Sequence, residues 1–220
     1  MDKQFKNSLF ISCGFACVLW WVKLTEIFFG WSFADFGVTP HQPLGLIGIL
    51  TAPLIHGSLN HIFSNTLPTI LLGTLLIYGY PQSWKRVLTI IWLGSGIGVW
   101  LYARDATHIG ASGLSHGVFF FLFIASIFRR DKRSVAIMMI GFFMYGGMTM
   151  SIFPRSETIS FEYHLYGALF GSLCALMYWR VDQKPVEKRY QWEGQPELDD
   201  PIIGDEWQQV DGTDNPDQLH

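Results

Sequence analysis

Six apolar runs separated by short polar stretches organise the chain as far as Trp179. They lie near Ser8–Gly30, Leu59–Tyr80, Val87–Ala103, Ser112–Phe128, Ser134–Phe153 and Phe161–Trp179. Each approaches the roughly 20 residues that a helix needs to cross a hydrocarbon core. The pattern predicts an all-α membrane protein, a bundle of six transmembrane helices. Lys3 and Lys6 before the first run resemble the basic start of a signal peptide. The small-residue cleavage pattern is missing, however, and five further runs follow, so the stretch reads as a helix. Lys23 and Glu26 mark where it emerges. The connection Trp31–Ser58 is rich in Gly, Pro and aromatic residues and nearly uncharged, which suits the headgroup level rather than bulk water.

Composition agrees with the pattern. Half of the residues are hydrophobic and 15% are charged, against about 25% charged in soluble domains. Charge then orients the helices. With the N-terminus cytoplasmic, the inner segments hold twelve of the 15 Lys and Arg residues, all but Lys23, Arg104 and Arg155. This is the positive-inside distribution of a protein with both termini cytoplasmic. Residues 1–182 form the membrane domain. Residues 183–220 read as an acidic, disordered cytoplasmic tail, with no Lys or Arg after Arg189 and carboxylates accumulating from Glu193 to Asp217. No basic patch interleaved with aromatics points to nucleic acid. Cys13, Cys17 and Cys174 have no disulfide or metal spacing and read as small buried side chains. Gly94, Gly96 and Gly98 imitate half of a nucleotide fingerprint, but inside an apolar run they fit close helix packing.

Ionisable and polar groups inside a membrane are costly, so they are functional suspects. His56, His61 and Asn65 lie before and within the second run, Ser112 and His116 in the fourth, and His164 in the sixth. In the orientation above, all six fall on the outer side. Ser112 follows Gly110 and Ala111 and opens a helix, where backbone N–H groups lack intrahelical partners and can stabilise an oxyanion. Gly110 reads, with the glycines that follow it, as helix packing around the site. Gly113 and Gly117 share one face of that helix, and Gly167 and Gly171 share the face of His164. If these glycine stripes meet, Ser112 and His164 come to one depth, and the imidazole can take the hydroxyl proton. His61 and Asn65, four apart, both donate hydrogen bonds. They suit an oxyanion hole equally with a buried polar pair that ties helices together. His56 reads as a structural loop histidine that helps to line the pocket. Two histidines four apart with a Glu between are missing, so no metal site is expected. Neither internal repeats nor charges at the membrane midplane support a transporter.

The stretches His56-Gly-Ser-Leu-Asn-His61-Ile-Phe-Ser-Asn65, Gly110-Ala-Ser-Gly113 and His164-Leu-Tyr-Gly167-Ala-Leu-Phe-Gly171 together resemble the rhomboid family of intramembrane serine proteases. The resemblance spans Ser8 to Trp179. It implies Ser112 as nucleophile, His164 as general base, and His61, Asn65 and the Ser112 N–H as oxyanion donors, with no carboxylate in the set. Glu162, two residues from His164, lies on roughly the opposite helix face and cannot orient it. The implied reaction is hydrolysis of peptide bonds in or beside transmembrane segments of membrane-protein substrates, without metal, nucleotide or flavin. The implied setting is a bacterial inner membrane with the site facing outward. Two positions depart from the family pattern. His116 stands where a tyrosine often stacks on the catalytic imidazole, and can stack likewise or compete as a hydrogen-bond partner. A Trp-Arg pair of the first loop is missing, since Ser32 follows Trp31. The alternative from another class is a catalytically inactive rhomboid-like membrane chaperone. Such relatives lose the serine or the histidine, and both are present here.

Overall fold

In a computed structural model, which describes residues 2–154 and 160–184, six long helices follow the six apolar runs. They are α1 (Lys3–Phe29), α3 (Leu59–Gly79), α4 (Trp84–Tyr102), α5 (Ser112–Arg129), α6 (Lys132–Tyr145) and α7 (Phe161–Tyr178), with a short α2 (Gly45–Thr51) between the first two. Among the described residues there is no strand, only an isolated bridge between Val38 and His108. α1, α3, α5 and the run Lys132–Met150 are long and apolar enough to cross a membrane. α4 and α7 are of similar length. Lys85 and Arg86 at the start of α4, and Glu162 and His164 at the start of α7, lower their mean hydropathy.

Two boundaries differ from the expectation. The first helix begins at Lys3 rather than Ser8, started by the Asp2 side chain, which accepts from Gln4 N. The fifth run is not one α-helix to Phe153. It stops at Tyr145 and continues as a 3-10 turn, Gly146–Met150, because Gly146-Gly147 gives the helix little reason to propagate. The uncharged connection after α1 is ordered, carrying α2 and two 3-10 turns. The acidic tail beyond Lys184 lies outside the described residues. Of the cysteines only Cys174 is buried. Cys13 is half-buried and Cys17 is exposed on α1.

α5 is the axis of the bundle, with two thirds of its length buried. Leu76 and Tyr80 of α3 and its C-cap, Val87 and Ile91 of α4, Val118, Phe121 and Ala125 of α5 and Cys174 of α7 form the core around it. The expected glycine seam is there. A Cβ at Gly167 would strike the Gly113 carbonyl, one at Gly171 the Gly117 carbonyl, and one at Gly117 would come within 2.9 Å of the Gly167 carbonyl. Only glycine permits this backbone-to-backbone approach. Gly94 and Gly98 of α4 take the rings of Phe170 and Tyr166 from the other side of α7, and Gly96 takes Ile49 of α2, so these glycines serve packing as expected.

Side-chain caps set where the site-bearing helices begin. Ser58 accepts from His61 N at 3.1 Å and Ser160 from Tyr163 N at 3.3 Å. They start α3 and α7 so that His61, Asn65 and His164 fall in the first two turns.

Candidate active site

The starts of α3, α5 and α7 and the ends of α4 and α6 converge on a cavity of about 810 Å³, into which His61, Asn65, Ser112, His116 and His164 all open. Ser112 Oγ lies 3.0 Å from His164 Nε2. His164 Nδ1 lies 3.0 Å from the Ser151 carbonyl, just beyond the 3-10 turn. A carbonyl only accepts, so Nδ1 carries the proton and Nε2 presents its lone pair to the serine. That is the tautomer a general base needs. Glu162 is indeed turned away: it is buried and pairs with Arg104 at 3.4 Å.

His116 adopts the first of its two expected roles. Its ring stacks on that of His164, with centroids 3.9 Å apart and planes within 8°. Its nitrogens are 2.7 Å from the Ser112 carbonyl and 2.6 Å from Ser151 Oγ, and neither is bonded to Ser112 Oγ.

The turn into α5 explains the motif before Ser112. Gly110 has φ 113°, a left-handed value that other residues rarely adopt. A Cβ there would also come within 2.7 Å of His61 Nε2. This corrects the expectation for Gly110. Unlike Gly113, Gly117, Gly167 and Gly171, it does not belong to a helix–helix seam; it is a turn residue that lets the His61 ring lie against the backbone. Gly110 N–H donates to the Ala52 carbonyl at 2.9 Å, and Ala111 N–H to His56 Nε2 at 3.4 Å. His56 is buried at 1% exposure and its ring meets that of His61 edge to face. Burial above all, then the neighbouring His61, holds its pKa down at about 4. It is thus a neutral acceptor beneath the turn, which gives the expected supporting histidine a definite task. No side chain caps α5, so its first N–H groups lack an intrahelical partner.

Asn65 is buried, and its Nδ2 donates to the His61 carbonyl at 2.9 Å. This fixes the side chain and leaves its second N–H for the cavity. Two contributors were not foreseen. Ser151 enters mainly through a backbone carbonyl, which no residue type announces. His108, buried and 2.6 Å from Ser160 Oγ, links the turn before α5 to the cap of α7. Its position two residues before Gly110 was the available signal. Among the described residues no cluster of His, Cys, Asp or Glu could hold a metal ion.

The Rhomboid domain model matches residues 43–181. Uncharacterized proteins of Mycobacterium bovis and Mycobacterium tuberculosis are 31% identical over 172 residues, covering 74% of this chain and 72% of theirs. One from Mycobacterium leprae is 29% identical over 173 residues, covering 74% and 68%. With this match over more than half its length, the chain belongs to the rhomboid family, all-α membrane proteins that are in general intramembrane serine proteases.

Proposed function

We propose that this protein is an intramembrane serine endopeptidase that works through Ser112 and His164. The observation that carries the reading is the 3.0 Å approach of Ser112 Oγ to His164 Nε2, with Nδ1 held on the Ser151 carbonyl. As Oγ attacks the peptide carbonyl carbon, its proton passes to Nε2. The oxyanion forms between the Ser112 N–H, Asn65 Nδ2 and the His61 ring, which stabilise the charge as it develops. Collapse of the intermediate breaks the C–N bond, and Nε2 returns the proton to the leaving amine. Water entering the cavity then hydrolyses the acyl-serine, with His164 again as base.

All six long helices cross the bilayer in this reading, with residues 1–182 as the membrane domain and 183–220 as a cytoplasmic tail. Both termini are cytoplasmic, and the site opens to the outer side of a bacterial inner membrane. The substrates are transmembrane segments of other proteins. A helical segment hides its carbonyls, so residues of low helix propensity near the outer face favour cleavage. The inactive alternative has no observation in its favour, since both reacting groups are present and paired.

The test is Ser112→Ala. The Ser112 hydroxyl makes one hydrogen bond, to His164, worth about 1 kcal/mol net, so the variant folds. Cleavage of a model transmembrane substrate and labelling by a fluorophosphonate probe are both abolished. Undiminished cleavage by the variant overturns the assignment.

A further inference from the structure

We propose that Ser151 is a positioning residue for the base, held in register by His116; this rests on the serine–histidine reading above. Ser151 uses both of its polar groups toward the site. Its carbonyl takes His164 Nδ1 at 3.0 Å, and its hydroxyl lies 2.6 Å from His116 Nε2. His116 Nδ1 in turn lies 2.7 Å from the Ser112 carbonyl.

The protons can be assigned from chemistry. Both Nδ1 atoms face carbonyls, which only accept, so both carry a proton. Ser151 Oγ has one proton and two acceptors in reach, His116 Nε2 and the Met148 carbonyl at 2.9 Å. Were it given to Met148, His116 Nε2 would need its own proton to bond the hydroxyl. A buried cation would then lie 3.9 Å from the stacked ring of His164, which burial opposes. The neutral arrangement sends the Ser151 proton to His116. Two serines and two histidines therefore close a ring of four hydrogen bonds. It runs from Ser112 O through His116 and Ser151 to His164 and returns to Ser112 Oγ.

This ring gives a residue just beyond the 3-10 turn that follows α6 control over the orientation of the base on α7. The reference point is the backbone of the nucleophile itself. A flat stack alone fixes the plane of the His164 ring but allows a half-turn rotation about Cβ–Cγ, which keeps the plane and exchanges Nδ1 with Cδ2. The bond to the Ser151 carbonyl removes that rotation, and His116 keeps the carbonyl in place.

The experiment compares full-length Ser151→Ala, Ser151→Thr, His116→Phe and the double variant Ser151→Ala/His116→Phe with wild type and Ser112→Ala. Fluorophosphonate labelling rate, kcat, KM and thermal midpoint are measured for each. Ser151→Ala removes the hydroxyl and keeps the carbonyl. His116→Phe keeps a stacked ring and removes both of its hydrogen bonds. Each single variant lowers kcat and labelling by about tenfold, short of the roughly hundredfold that a misplacement of about 1 Å brings, with KM unchanged. Ser151→Thr recovers most of the loss. The double variant matches the singles, because one link is broken once. Wild-type kcat in both single variants, or losses that multiply in the double variant, overturns the proposal. So does a loss that Ser151→Thr fails to restore. These outcomes leave the protease reading standing if Ser112→Ala is inactive, whereas activity in Ser112→Ala removes both.

Discussion

The two ends of the helix bundle bury polar groups in opposite ways. At one end His61, Asn65, Ser112, His116 and His164 surround an open cavity, with His56 packed against the His61 ring. At the other, Arg129 is buried at 1% exposure among its partners. It bonds Asp131 at 2.9 Å and the carbonyls of Asp182 and Gln183, and lies 5.0 Å from the Tyr80 ring centre. Asp182 also accepts from Gln82 N and Ser83 Oγ, tying the end of α7 to the start of α4. The difference separates what builds this protein from what it does. Arg129 is enclosed by groups that hold it, as a buried charge requires. At the cavity end Glu162 pairs with Arg104, away from His164, and His61, Asn65 and Ser112 open onto the cavity, where the proposed reading seats a substrate.

The sharpest test of the contrast is His164→Ala. Without a base the hydroxyl keeps its proton, so cleavage and fluorophosphonate labelling fall to background while the thermal midpoint holds. Silence in His116→Ala, together with activity in His164→Ala, would exchange their roles; His116→Ala is expected to keep partial activity. Asn65→Ala comes next. Loss of one oxyanion donor typically lowers turnover by about 10²–10³-fold, here in kcat with KM near wild type. A raised KM at constant kcat would move Asn65 to substrate binding.

Arg129→Met should show the reverse profile. Breaking one partner of a buried pair costs about 3–5 kcal/mol, so the thermal midpoint in detergent drops. The folded fraction labels at the wild-type rate, since Arg129 lies at the far end of α5 from Ser112. Impaired labelling without destabilisation would break the division between the two ends.

The smallest effect is one of pH. His56 has a folded pKa of about 4 against an ordinary 6.5. The unfolded chain therefore binds more proton between these values, and stability present above about pH 6.5 is lost as pH falls toward about 4. His56→Gln removes that titration. The decline of its thermal midpoint between pH 7 and pH 4.5 is expected to be shallower than in wild type. Parallel declines would show that His56 does not face the buried environment described.

Much of this arrangement is legible in the sequence, because a membrane makes the pattern strict. Apolar runs give the helices, and the glycines four apart at Gly113/Gly117 and Gly167/Gly171 give the seam that aligns Ser112 with His164. What was not legible follows from how it is encoded. Ser151 acts through its carbonyl, and a carbonyl is common to every residue. Gly110 looks like one more small residue in a stripe until its φ shows a turn. The break at Tyr145 depends on Gly146-Gly147 inside a run that remains apolar to Phe153, so hydropathy passes over it. His116 was ambiguous because stacking and hydrogen bonding differ by ring orientation, which spacing leaves open.

The glycine seam has a mechanical consequence. Carbonyls of α5 sit against Gly167 and Gly171, and the carbonyl of Gly167 sits against Gly117, so the two helices mesh like a ratchet with teeth one turn apart. A graded slide would drive oxygen into backbone. The next register is a full turn away, about 5.4 Å, and would part Ser112 from His164 altogether. Nucleophile and base are therefore either engaged or disengaged, with no half-aligned position between. In the proposed reading a peptide is admitted without disturbing that mesh, by helices that yield more easily, and α1 and the run Lys132–Met150 are the least buried of the long apolar segments.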